Sequence, residues 1–194
     1  CAWSCGGCIR DDVVNTCPSE KQWGITFDDG PSRFTPDLLD YLLEHNIKAT
    51  FFCIGSRVVE FGPTVLRAFQ EGHQIGVHTW SHRALTTLTN DQIIAELEYT
   101  AMAITQVIGT RPIWIRPPFG DMDDRVRAIA TAMGFKIAIW DFDSGDFSMA
   151  YNANFYGPNV LENLFRDRAV QQESRSSGLI SLQHDLYENT AKRA

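Results

Sequence analysis

The chain has 194 residues, enough for one domain with its own hydrophobic core. Its 17 Lys and Arg against 24 Asp and Glu give a net charge of −7, and 44% of its residues are hydrophobic. This balance argues against a general binder of nucleic acid or anionic membrane, which needs clustered cations, and against an intrinsically disordered chain. No apolar run approaches the roughly 20 residues of a membrane-spanning helix.

Four of the five cysteines, Cys1, Cys5, Cys8 and Cys17, fall in the first seventeen residues. The start at Cys1, with no Met and no basic, apolar leader, reads as a processed or trimmed product. The cluster fits two disulfides stapling an N-terminal cap over residues 1–20, with three possible connectivities. A zinc knot is the rival, since four thiolates are on offer, although only Cys5-Gly-Gly-Cys8 has the paired form. A lipidated Cys1 is a third reading. Disulfides are favoured, and they imply a secreted, extracellular or cell-wall protein.

Residues 21–194 alternate short apolar runs with amphipathic helical patterns. The expected strands are Trp23–Phe27, Ala49–Cys53, Gln74–Val77, Ile113–Ile115, Phe135–Trp140 and Gly178–Gln183. Their near-continuous apolar character predicts parallel strands buried on both faces. Between them, Pro36–His45 carries Leu38, Leu39, Leu42 and Leu43, and Pro63–Glu71 starts on a proline and stops at Gly72. Thr89 is the expected N-cap of Asn90–Ile108, whose stripe is Ile93, Leu97, Ala101, Ile104 and Ile108. Asp123–Met133 and Val160–Gln172 complete the set. Cys53 reads as a buried free thiol, and His45 and His73 fall away from the chemistry-bearing ends.

Repeated βα units imply a barrel or a doubly wound sheet, and both collect chemistry at the C-terminal ends of the strands. The first strand leads into Asp28-Asp29-Gly30-Pro31, a pair of carboxylates or ordinary turn chemistry. The third leads into His78-Thr79-Trp80-Ser81-His82, where two histidines four apart can face one centre if the segment is helical. Two imidazoles and one carboxylate make a metal site with open positions, leaving the other carboxylate free as a base. The fourth strand is followed by Arg116-Pro117-Pro118-Phe119-Gly120, the fifth by Asp141 to Phe147, and the sixth leads through Leu182-Gln183 to His184-Asp185. Arg116 can hold a carboxylate while the two prolines stiffen its loop. Trp80, Trp140, Phe119 and Phe147 can stack on sugar faces or lie in the core, and Pro118 belongs to the same expected substrate wall.

These five segments resemble the motifs of the polysaccharide deacetylases with a NodB-type domain, carbohydrate esterase family 4, and the run is most similar to the fungal chitin deacetylases. The resemblance implies a distorted, incomplete (β/α) barrel and metal-dependent hydrolysis of N-acetyl groups from chitin or chito-oligosaccharides. It makes Asp28 the catalytic base and Asp29, His78 and His82 the ligands of Zn²⁺, Co²⁺ or another divalent ion. It makes Arg116 the partner of Asp28, the Phe119 N–H the oxyanion donor, and His184 the general acid tethered by Asp143. Leu182 would line the pocket for the acetyl methyl group. Phe147 stands where the family often has Trp, and the chain ends soon after His184, where family members usually continue through a helix and strand. The same machinery would serve O-acetyl xylan or peptidoglycan, and a silent glycan-binding protein is the rival of another class. A non-haem Fe(II) oxygenase, which also uses two histidines and a carboxylate, would need neither the second carboxylate nor a distant acid. A monomer acting on a glycan is expected.

Overall fold

The computed structural model describes residues 10–150 and 159–192. The eight strands of its sheet are β1 (Val13–Val14), β2 (Trp23–Asp28), β3 (Thr50–Cys53), β4 (Gln74–Val77), β5 (Trp114–Ile115), β6 (Lys136–Ala138), β7 (Phe142–Asp143) and β8 (Leu179–His184). They lie in the order β1-β6-β5-β4-β3-β2-β8-β7, and every pairing is parallel. This is the incomplete barrel expected from the sequence, open between β1 and β7. Two short strands are additions. Val13–Val14 pairs with Ile137 and Ala138, so the sheet begins within residues 1–20, and Phe142–Asp143 pairs with Ser181 and Leu182.

The helices are α1 (Thr35–Glu44), α2 (Gly55–Glu60), α3 (Gly62–Gln70), α4 (Asn90–Ile108), α5 (Asp124–Ala132), α6 (Val160–Gln172) and α7 (Glu188–Ala191). Helix α4 starts at a capping box in which the Thr89 side chain accepts from Gln92 N and the Gln92 side chain accepts from Thr89 N. It stops at Gly109, whose φ of 77° is left-handed. Its inner face buries Ile93, Leu97, Ala101 and Ile104 against the sheet, while Ile108 is only partly covered. In α1 the buried leucines are Leu38, Leu39 and Leu42; Leu43 lies outward, 52% exposed, because the helix turns it about 100° beyond Leu42. The core between helices and sheet is completed by Phe27, Phe51, Ile75, Val77, Ile115 and Ile137.

Cys53 is a buried free thiol, and burial pushes its pKa well up. Cys17 also carries a free thiol, whose Sγ donates to Leu179 O at 3.2 Å. Cys17 therefore takes no part in the two disulfides expected of the cluster, while Cys1, Cys5 and Cys8 lie outside the described residues. No described helix is long and apolar enough to cross a membrane.

Candidate active site

Strand register assembles the site. Asp28, the last residue of β2, is the direct partner of His184, the last residue of β8. In neighbouring parallel strands such partners face the same side, so a carboxylate and an imidazole emerge together. The same strand-end layer holds His78, whose N–H donates to Cys53 O, and Arg116, whose N–H donates to Val77 O.

Asp28 is 2% exposed, and its Oδ1 accepts from Arg116 Nη1 at 2.8 Å. Arg116 is fully buried. Its Nη1 also donates to Thr26 Oγ1 at 2.6 Å and its Nη2 to Ile139 O at 3.2 Å, while the guanidinium lies over the rings of Phe52 and Trp140. A buried charge needs such a partner and further hydrogen bonds, and together these fix the Asp28 carboxylate.

Beside it, Asp29 Oδ1 lies 3.3 Å from His78 Nε2 and 3.1 Å from His82 Nε2. The ligand atoms of the three residues all fall within 4.8 Å of one another. The His78 Nδ1 donates to Arg116 O at 2.7 Å, so in the neutral ring Nε2 carries a lone pair that faces the carboxylate. Asp29 Oδ1 is buried and has no hydrogen-bond partner. Lone pairs on three converging atoms repel unless a proton or a cation lies between them, and this donor set suits a divalent ion. Burial opposes the charge on Asp29, but His78 and His82 outweigh it and hold its pKa well below the usual carboxylate range. Burial likewise opposes protonation of His78, yet Asp28 and Asp29 raise its pKa, so a proton and a metal ion compete for the same nitrogen.

The helical route that would bring two histidines four apart to one centre is not the one used. Residues 78–84 form a loop in which Thr79 (φ 64°) and His82 (φ 57°) are left-handed, as is Asp29 (φ 74°). Such conformations cost roughly 1–3 kcal/mol each outside glycine and collect at functional sites.

The tether expected at Asp143 falls to Asp146. Its Oδ1 accepts from His184 Nδ1 at 2.7 Å and its Oδ2 from His184 N at 2.8 Å. Asp143 Oδ1 instead accepts from Gly145 N at 2.8 Å, and burial raises the Asp143 pKa. All three acids after β6 were visible, but only the short helical turn Asp146–Met149 decides which reaches the histidine. Burial by itself would lower the pKa of His184; the hydrogen bond and charge of Asp146, with Asp29 and Asp28 behind, raise it to about 9.

A cleft of about 580 Å³ opens over these groups. Asp28, Asp29, His78, His82, Phe119, Trp140, Asp143, Phe147, Leu182 and His184 all line it. Phe119, at φ 60°, and Phe147 are half-exposed, their rings edge-on to His82 and His184. Trp80 and Pro118 do not line the cleft. Trp80 packs on the core with its ring edge-on to Tyr99, and Pro118 is buried at the start of the short turn Pro118–Gly120 that carries Phe119. Ile54, Ser56, Arg57, Leu186 and Tyr187 join the wall unforeseen, since α2 and the segment after β8 gave no motif. Behind the loop, Asp185 is fully buried, its Oδ2 accepting from Thr35 Oγ1 at 2.6 Å. Burial, with the charges of Asp29 and Asp28, raises its pKa to about 7.

A family model described as polysaccharide deacetylase matches residues 15–138. The chain belongs to the polysaccharide deacetylase family. It is 43% identical over its whole length to chitin deacetylase 1 of Cryptococcus neoformans var. grubii, covering 43% of that relative. It is also 43% identical, over 96% of its length, to a chitin deacetylase of Amylomyces rouxii, covering 46% of it. The chain thus spans less than half the length of both. Among solved structures, the peptidoglycan deacetylase PdaC from Bacillus subtilis superposes with a TM-score of 0.73 at 33% identity, over 90% of this chain and 79% of that one.

Proposed function

We propose that this chain hydrolyses the N-acetyl groups of N-acetylglucosamine residues in chitin or chito-oligosaccharides, releasing acetate and leaving a free amine. The reading is supported most by one arrangement: the orphaned Asp29 Oδ1 between two imidazole nitrogens, beside a carboxylate held by Arg116. The similarity to fungal chitin deacetylases supports the choice of glycan.

Asp29, His78 and His82 would hold a divalent ion, which in this reading is Zn²⁺, with Co²⁺ as a functional substitute. When bound, such an ion supplies Lewis acidity toward the acetyl carbonyl and the attacking water. Asp28 accepts the proton of that water as its oxygen adds to the carbonyl carbon, and Arg116 keeps the carboxylate aimed. The Phe119 N–H donates to the developing oxyanion, a contribution of roughly 3 kcal/mol in comparable sites. His184, charged through its pairing with Asp146, gives its proton to the nitrogen as the C–N bond breaks. Leu182, buried at the cleft wall, bounds the methyl group, and Phe147 and Trp140 face the sugar. Asp143, on the same wall, acts on His184 only through its charge. The protein works as a monomer in the extracellular space or cell wall.

The test is acetate release from N-acetylglucosamine oligomers with Zn²⁺ or Co²⁺ supplied, run beside acetylated xylan and peptidoglycan fragments. The reading expects acetate from the chitin oligomers and its loss on chelation. Release from xylan or peptidoglycan alone would move the substrate to those glycans. No release from any of them would end the deacetylase reading.

A further inference from the structure

The loop between the two histidines, residues 79–81, has no helix or strand of its own to satisfy its backbone. Its carbonyls are met from one side: Thr79 O accepts from Gly55 N at 2.9 Å and Trp80 O from Ser56 N at 3.3 Å, both in the first turn of α2. Its amides are met from the other side by a single side chain. Glu96, in the second turn of α4, accepts at Oε2 from Trp80 N at 2.7 Å and from Ser81 N at 2.8 Å. Its Oε1 accepts from Ser81 Oγ. Within the loop, Thr79 Oγ1 accepts from His82 N at 3.1 Å. Thr79 and His82 both hold left-handed backbones, which persist only where surrounding contacts over-determine them.

We propose that Glu96 is a positioning residue for the metal site: its carboxylate stands in for a strand's carbonyls and locks the loop so that His82 Nε2 faces Asp29 Oδ1. The inference rests on the reading that Asp29, His78 and His82 hold a divalent ion. His78 is anchored independently, by β4 and by its bond to Arg116 O, so the loss of Glu96 acts on His82. Without the carboxylate, two amides lose their acceptor and the left-handed residues can relax, carrying the His82 ring away from the centre. Glu96 does not itself line the cleft and bonds to none of Asp29, His78 and His82, meeting the wall only through Ser81, so its effect is one of placement.

The experiment compares the purified parent chain with Glu96→Ala, Glu96→Gln and, as a control, Glu98→Ala on the exposed side of α4, where Glu98 pairs with Arg111. Zn²⁺ affinity is read by competition with a chromophoric chelator, ligand geometry by the visible spectrum of the Co²⁺ form, and folding by thermal melting. Removal of an outer partner of a metal ligand typically weakens binding about 10–100-fold. That loss is expected for Glu96→Ala, with an altered Co²⁺ spectrum. Glu96→Gln keeps one oxygen to accept and should lose less, and Glu98→Ala should bind like the parent. A purely structural Glu96 would lower the melting temperature while leaving the Co²⁺ spectrum and Zn²⁺ affinity of the folded protein unchanged, which overturns the proposal. If Glu96→Ala does not fold, Glu96→Gln decides: parent-like affinity and spectrum overturn it, and a weakened, spectrally altered site supports it. If the parent binds neither ion, the metal-site reading falls and this inference with it.

Discussion

At the residue scale, the charged form of His184 is set by Asp146, and its consequences run in a definite direction with pH. The folded-state pKa of about 9 lies above the ordinary value of about 6.5, so the pair stabilises the fold fully below pH 6.5. That contribution is lost as pH rises through 9. As general acid, His184 must also be protonated, so the deacetylase reading predicts an alkaline limb to the rate profile. Asp146→Asn removes the charge that holds the proton, and the limb should move down by about 1–2 pH units, read from acetate release across pH 6–10. A limb that stays in place would assign the acid to another group. The choice between Asp143 and Asp146 was not legible in the sequence. Both acids follow the same strand, and which one reaches Nδ1 depends on the left-handed Gly145 and the turn after it.

At the element scale, α2 and α4 grip the histidine loop between them, and Gly55 is where they meet. A Cβ at Gly55 would lie 2.6 Å from Thr100 Oγ1 and 2.6 Å from Trp80 Cε3, with the Thr100 Cα at 3.1 Å behind. Trp80, expected at the substrate wall, is therefore the wedge that seats the loop on α4. Gly55→Ala should destabilise the protein by about 1–3 kcal/mol through overpacking, seen as a fall in melting temperature. An unchanged melt would show that Trp80 can shift freely. The long elements were legible because their periodicity was strong: α4 runs from its Thr89 cap to Ile108 as expected, and the six strands β2, β3, β4, β5, β6 and β8 fall within the expected runs or one residue beyond them. Helix α2 was not, since Gly55–Glu60 is too short to show a 3.6-residue pattern. Strands β1 and β7, two residues each, are too short to show a period in the sequence and are revealed by their pairing.

At the scale of the whole molecule, the parallel sheet delivers Asp28, His78, Arg116 and His184 to one end because each ends or directly follows a strand running in the same direction. This is why the strand-end segments sufficed to gather most of the cleft, and why Pro118 and Trp80, which depend on loop geometry, went astray. Residues contributed by α2 and by the segment after β8 enter the wall only through the tertiary fold. The central claim is a division of labour between adjacent carboxylates, Asp29 for the metal and Asp28 for the proton. Asp28→Asn separates them, since the amide oxygen can still accept from Arg116 while the base is gone. Measured on one preparation, Zn²⁺ affinity should stay close to that of the parent while acetate release from N-acetylglucosamine oligomers falls by about 10²–10⁴-fold. Release within about tenfold of the parent, with Zn²⁺ bound, would contradict the account.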